Sequence, residues 1–235
     1  VALAATATCD TTDPDDLLVT ITAGDGPFLI SATNDTPSEP ITVGTGVHRL
    51  DGPDRWSDLE ITEQGGDLQL INLGSPDCVN LDGSIIIPGG APGTTSGTAS
   101  PYPATQIVSG LGTTISDVNV TLNGLGHTFT DDVEVLLVSP TGTAVLVMND
   151  ACGVYGGSLY TFTFDDEAAG TLSSDNGCSS GMYRPSSFGA AAFAAPAPAG
   201  PYGTSLSAFD GQDPNGTWSL FVEDDAGGDY GDLGS

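Results

Sequence analysis

The sequence predicts an all-β protein of two β-sandwich domains. Apolar and polar residues alternate in many short runs. Glycine and proline are frequent, 33 and 16 of 235 residues, as tight turns between strands require. No long stretch carries a helical period. A chain of this length can bury a substantial core, in one large β domain or two smaller ones.

The first alternating runs are Asp16-Leu-Leu-Val-Thr-Ile-Thr22, Pro27-Phe-Leu-Ile-Ser-Ala32, Ser57-Asp-Leu-Glu-Ile-Thr62 and Asp67-Leu-Gln-Leu-Ile-Asn-Leu73. Turn chemistry separates them at Gly24-Asp-Gly-Pro27, Asn34-Asp-Thr-Pro37, Gly52-Pro-Asp54 and Gly65-Gly-Asp67. After an N-terminal segment, residues 1–9, these elements predict a small antiparallel sandwich over 10–87. Residues 88–103, rich in glycine, serine, threonine and proline without periodicity, read as a linker or an extended crossing segment.

A second set follows in Thr114-Ile-Ser-Asp-Val-Asn-Val-Thr-Leu122, Asp132-Val-Glu-Val-Leu-Leu-Val138, Thr143-Ala-Val-Leu-Val-Met148 and Leu159-Tyr-Thr-Phe-Thr-Phe164, with Ser139-Pro-Thr-Gly142 as a hairpin turn. This alternation suits a sandwich or jelly roll.

Charge bounds the partners. Thirty-one acids face only Arg49, Arg55 and Arg184, and the formal net charge is −28. Such a surface repels nucleic acid and anionic membranes. It attracts divalent cations and stays hydrated in salty water. No apolar run approaches the roughly 20 residues of a membrane-spanning helix.

Four cysteines allow three pairings. One bridge within each half, Cys9 with Cys78 and Cys152 with Cys178, brackets a compact segment in each case. No zinc or redox spacing competes with this reading. Disulfides place the chain in an oxidising, secreted or cell-surface setting. The first residues, Val1-Ala-Leu-Ala-Ala-Thr-Ala-Thr8, read as a mature N-terminus or the remnant of an export segment.

Several motifs occur in order along 104–235: Ile115-Ser-Asp-Val-Asn-Val-Thr-Leu122, Gly126-His-Thr-Phe-Thr-Asp-Asp-Val-Glu-Val-Leu-Leu-Val-Ser-Pro-Thr-Gly142, Thr163-Phe-Asp-Asp-Glu-Ala168, Ser180-Gly-Met-Tyr-Arg-Pro185 and Asn215-Gly-Thr-Trp-Ser-Leu220. Together they resemble the P domain that accompanies the catalytic domain of proprotein convertases and occurs in bacterial secreted and surface proteins. Phe193-Ala-Ala-Pro-Ala-Pro-Ala-Gly200 is similar to a segment of bacterial members. The resemblance implies a jelly roll with bound calcium and without catalytic activity of its own. It also implies a final strand, beginning Gly-Trp-Ser-Leu, after the turn written here as Gly228-Asp-Tyr-Gly-Asp-Leu-Gly-Ser235. A sheet lacking that strand exposes unpaired backbone groups, a template for another chain. The N-terminal segment is a candidate donor, and a head-to-tail contact of that kind builds filaments.

The acidic clusters point to calcium independently, because calcium takes 6 to 8 oxygen ligands from converging loops. Asp132, Asp165, Asp166, Glu167, Asp224 and Asp229 are the expected ligands. Asp150, Asp213 and backbone carbonyls are further candidates, and Asp13-Pro-Asp-Asp16 is a weaker cluster. The competing reading is a solvated acidic surface.

Catalysis has little support. Gly203-Thr-Ser-Leu-Ser-Ala208 superficially resembles the nucleophile turn of subtilisin-like proteases, but only His48 and His127 are available as bases, and neither lies in that family's histidine context. Nucleotide-binding glycine motifs are absent. Trp56 and Trp218 read as core residues rather than a carbohydrate platform. The sequons at Asn34, Asn119 and Asn215 carry no functional weight.

The expectation is a non-catalytic, calcium-stabilised extracellular structural or adhesive protein. It would self-associate or bind another surface protein, as the subunit of a surface filament assembled by strand or edge complementation. The alternative is an accessory P-domain fragment that stabilises or targets a secreted subtilisin-like hydrolase.

Overall fold

The computed structural model describes residues 4–9, 17–23, 26–32, 41–50, 59–63, 70–72, 83–153, 159–175 and 177–234. The protein is all-β: among the described residues, helix is confined to two 3₁₀ turns, Thr130–Asp132 and Leu206–Phe209. No helix among them is long and apolar enough to cross a membrane. The chain divides into two compact units, Val1–Val79 and Asn80–Ser235.

The first unit holds β1 (Ala4–Cys9), β2 (Leu17–Ala23), β3 (Phe28–Ala32), β4 (Ile41–Val43), β5 (Gly46–Leu50), β6 (Leu59–Glu63) and β7 (Leu70–Asn72). They form a three-stranded sheet, β1-β2-β5, and a four-stranded sheet, β4-β3-β6-β7. Val19 and Ile21 of the first sheet and Phe28 and Ile61 of the second are buried, the side of each strand that its alternation assigns to the core.

The second unit holds β8 (Ile85–Ile87), β9 (Gly97–Thr98), β10 (Ala104–Val108), β11 (Val120–His127), β12 (Val133–Val138), β13 (Ala144–Asn149), β14 (Leu159–Phe164), β15 (Gly181–Tyr183), β16 (Ser186–Ser187), β17 (Gly216–Asp224) and β18 (Gly231–Leu233). One sheet runs β10-β17-β12-β13-β16, with β9 also on β17, and the other runs β15-β14-β11-β18-β8. Val133, Val135, Val145, Val147, Leu220 and Val222 from the first meet Leu122, Leu125, Phe162, Phe164 and Leu233 from the second in one core. The alternate residues Tyr160, Phe162 and Phe164 form an aromatic row along β14, and Tyr183 meets Phe162 edge-on.

The outward face of the six-stranded sheet is partly covered as well. Leu136, Leu146 and Phe221 form a second cluster there, against Tyr102, Ala191, Phe193, Ala197 and Tyr202. The Ala-Pro segment that composition alone would make a flexible linker is thus a packed strap. Its anchors are the Tyr102 hydroxyl, which donates to the Ala194 carbonyl at 2.8 Å, and the Ala194 N–H, which donates to Glu223 at 3.0 Å.

Three details differ from the sequence reading. The strand expected over 114–122 is β11, from Val120 to His127, because Ile115 spends its backbone groups on Gln212 and Gly211. Residues 85–87, assigned from sequence to the first domain, pair with β18 in the second unit. The stretch expected as a linker or crossing segment carries β9, and its Ala99 N–H donates to Val222.

The last described residues depart most from the turn expected there. Gly231–Leu233 is a strand with β11 on one side and β8 on the other. Gly231 makes this approach possible: a Cβ there would lie 1.9 Å from the Gly126 carbonyl oxygen. Cys152 and Cys178 form a disulfide. The expected Cys9–Cys78 bridge lies outside the described residues, as do Trp56 and Asp13-Pro-Asp-Asp16.

Phe162 has no exposed surface and joins three other rings, so Phe162→Ala removes both its burial and the contacts around it. The expected loss is about 3–5 kcal/mol, read from the midpoint of denaturant unfolding.

Candidate metal centre

β12 lies between β17 and β13, antiparallel to both, so the start of β12 shares one sheet edge with the ends of β17 and β13. Acids crowd that edge. Asp131 and Asp132 lie in the 3₁₀ turn before β12, Glu134 on β12, Glu223 and Asp224 at the end of β17, and Asp225 just beyond. Asp150 follows β13, and Asp229 precedes β18. The Asp225 N–H donates to the Asp132 carbonyl at 3.0 Å and extends the ladder one step past the strand.

Alternation then sorts the β17 and β12 acids onto two faces. Val133 stands opposite Asp224 and Glu134 opposite Glu223. Val133 belongs to the core, so Asp224 turns inward, while Glu134 and Glu223 share the strap-covered face with Leu136 and Phe221.

On the inner side, His127 at the end of β11 reaches across from the other sheet. Its Nε2 lies 3.3 Å from Asp224 Oδ2, with both side chains fully buried. The His127 Nδ1 is 2.8 Å from the Phe129 carbonyl. The Nε2–Oδ2 contact is within ion-pair range but is not aligned as a hydrogen bond, so both atoms lack a hydrogen-bond partner among the described residues. Burial pushes Asp224 up to about 6, against the opposing pull of His127 and the Ala226 N–H. Asp132 is pushed up to about 7, first by burial and then by the charges of Asp224, Asp225, Asp229 and Asp131.

On the outer side, burial pushes Glu134 up to about 8, helped by the charges of Asp225, Asp150 and Glu223 and opposed by the Ala192 N–H. Asp131, Asp150 and Asp225 are also raised, each chiefly by burial and further by a neighbouring carboxylate. Glu134 Oε2 and Asn149 Oδ1 are buried without a hydrogen-bond partner among the described residues. Orphaned buried oxygens amid carboxylates form an all-oxygen donor set, which fits a hard cation such as calcium. Among the described residues no three acidic, histidine or cysteine side chains already stand at metal-ligand spacing. A cation at this edge would need the half-buried and exposed carboxylates to move toward the fixed ones.

Asp132, Asp224 and Asp229 share one end of the sandwich, where the charges of Asp224 and Asp229 act on Asp132, and Asp165, Asp166 and Glu167 lie elsewhere. Those three follow β14, whose Phe164 pairs with Val120 at the start of β11, whereas His127 at the far end of β11 meets Asp224. Eight residues of strand put roughly 20 Å between the two groups.

Asp166 already has a structural role there. It accepts hydrogen bonds from the Ser205 hydroxyl and from the N–H groups of Leu206 and Ser207, fastening the start of the second 3₁₀ turn. Burial works against its charge, but these donors outweigh burial and hold its carboxyl below the ordinary range. Asp165 accepts from the Glu167 N–H, and Asp213 accepts from the Asn215 backbone and side chain. The serine of the protease-like turn, Ser205, is bonded to Asp166 and Ser207, while His127 is held by Phe129 and Asp224. Trp218 packs on Phe209 with ring centroids 5.1 Å apart, and its N–H donates to Pro214.

Sequence reasoning passed over His127 as an acid partner, Glu134 as a buried acid and Asn149 altogether. The available signal was the Asn149-Asp150 doublet ending an apolar strand level with Asp131 and Asp132. No protein-family model matches the chain, and neither a curated protein nor a solved structure is significantly similar to it.

The raised carboxyls fix the sign of the pH dependence. Asp132, Glu134 and Asp224 hold protons more tightly when folded, at about 7, 8 and 6, than at their ordinary values of 3.8, 4.5 and 3.8. The stability they contribute is complete below pH about 4 and is lost as pH rises through the folded values. In chelator, the Tm of the second unit is expected to fall between pH 5 and pH 8 in scanning calorimetry. A flat or rising Tm would contradict this.

Proposed function

We propose that the chain is a non-catalytic, calcium-stabilised structural or adhesive module of a secreted or cell-surface protein. The observation that carries this reading is the buried Asp224 Oδ2, which lies 3.3 Å from His127 Nε2 but has no hydrogen-bond partner among the described residues, at the sandwich end where the charges of Asp224 and Asp229 act on Asp132. These three residues would hold the ion, whose charge would offset the repulsion that Asp224 and Asp229 exert on the part-buried Asp132. Asp229 precedes β18 by two residues, so an ion there would also fasten that strand. The disulfide suits an oxidising compartment, the acidic surface suits cation capture, and the ordered series of P-domain-like motifs is consistent with an extracellular jelly roll.

With free calcium at about 100 times Kd, stabilisation of about 2.7 kcal/mol is expected, a rise in Tm of roughly 5–10 °C for a unit of this size. Scanning calorimetry in calcium and in chelator measures it. Equal Tm values, together with no heat of calcium binding, would remove the reading.

One observation favours assembly by edge complementation. β18 pairs only with Leu125–His127 of β11, and the Gly234 N–H reaches the Gly124 carbonyl at 3.4 Å. Along Val120–Asn123 no strand among the described residues lies on that side of β11, while β14 occupies the other. A strand from a second copy would fit this edge by backbone pairing. Native material is expected to show periodic fibres by electron microscopy, with the amides of 120–123 slower to exchange in fibres than in dispersed protein. Dispersed particles with rapid exchange at those amides would exclude assembly through this edge.

A further inference from the structure

We propose a second calcium site on the outward face of the six-stranded sheet, formed by Glu134, Asn149, Asp131, Asp150 and Asp225. Its two buried oxygens lie on the face opposite Asp224, because the sheet itself separates Glu134 from Asp224, while Asp131 and Asp225 stand at the sheet end where their charges also reach the inner Asp132.

Two buried oxygens point to a ligand there. Glu134 is 1% exposed, and its Oε2 has no hydrogen-bond partner among the described residues. Asn149 is fully buried; its Nδ2 donates to Asp150 Oδ2 at 2.9 Å, leaving Oδ1 without a partner among the described residues. A buried carboxylate oxygen without a donor is costly, and a buried amide oxygen without one costs up to a few kcal/mol. A cation satisfies both at once.

The topology supplies the remaining ligands. Glu134 sits on the central strand, with β17 leading to Asp225 on one side and β13 leading to Asn149 and Asp150 on the other. Asp131, in the turn before β12, accepts from the Gly153 N–H and lies within reach of the Asp150 charge. The charges of Asp150 and Asp225 both act on Glu134, Asp225 acts on Asp150, and Asp131 acts on Asp225.

Asp131 and Asp150 are half-buried and Asp225 is exposed, so their carboxylates can close on two oxygens that are already fixed. Four carboxylates and an amide oxygen, without sulfur or imidazole, select calcium over zinc or copper. Magnesium is disfavoured because it dehydrates reluctantly and is seldom enclosed by an all-protein cage.

Calcium titration of the intact chain by isothermal calorimetry tests the site, comparing wild type with Asp150→Asn/Asp225→Asn and with Asp132→Asn/Asp229→Asn. All four positions lie at or near the surface and the changes are isosteric, so each variant is expected to fold, with a Tm in chelator no lower than wild type. Wild type is expected to take up two ions and the Asp150→Asn/Asp225→Asn variant one. Glu134→Gln is expected to weaken the outer ion at least about tenfold. The Asp132→Asn/Asp229→Asn variant is expected to keep the outer ion. Unchanged stoichiometry and affinity in both Asp150→Asn/Asp225→Asn and Glu134→Gln would overturn the outer site and leave the inner one standing. Loss confined to those two variants would retain the outer site and overturn the inner one. A wild type that binds no calcium would overturn both.

Discussion

The pairing of β12 with β17 is the constraint on which the rest of the second unit depends. Its register sets Val133 against Asp224 and Glu134 against Glu223, and from that single alignment the acids at the end of the sheet fall onto two faces. Slipping the register by one residue would turn Asp224 out toward the strap and Glu223 into the core. The apolar residues forbid it. Val133, Val135, Leu220 and Val222 line one face, and Leu136 and Phe221 line the other. Hydrophobic packing in the middle of the strands thus fixes the positions of charges at their ends.

Those charges are costly to hold, and the fold handles them in two ways. At Asp166, three hydrogen-bond donors converge on one carboxylate and keep it ionised. At Glu134 and Asp132 the donors are too few, and burial with neighbouring carboxylates drives both toward the protonated form. A proton and a calcium ion relieve the same repulsion, so they compete for these groups. Because the proton is bound where the proposed cation would sit, any calcium affinity would fall as pH drops through the range of the raised carboxyls.

The sequence made much of the second unit legible, because strands of six or more residues carry enough alternation to identify themselves, as in β12, β13 and β14. β8 and β18 have three residues each, too few for a period, and exist because they pair with each other and with β11. The acidic residues were visible as a chemical class. Which of them meet was not, since Asp165 and Asp132 look alike in sequence and are separated only by the direction in which β11 and β14 run. Asn149 and His127 were silent for a related reason: their importance comes from buried atoms without hydrogen-bond partners, a property of packing rather than of residue type.

The two ends of β11 connect the proposed cation chemistry to the proposed assembly. Its His127 end touches Asp224 and pairs with β18, and its Val120 end runs beside an edge that no described strand fills on that side. The loop carrying Asp229 leads directly into β18, and Tyr230 is tied to Thr128: its N–H donates to the Thr128 hydroxyl, and its carbonyl accepts from the Thr128 N–H and hydroxyl. An ion bound by Asp132, Asp224 and Asp229 would hold this loop against the sheet and so steady the pairing of β18 with β11. Under this reading calcium does more than stabilise the core: by pinning the loop before β18 it steadies the β18–β11 pairing, so loss of the ion would loosen this end of the sheet before it unfolded the sandwich.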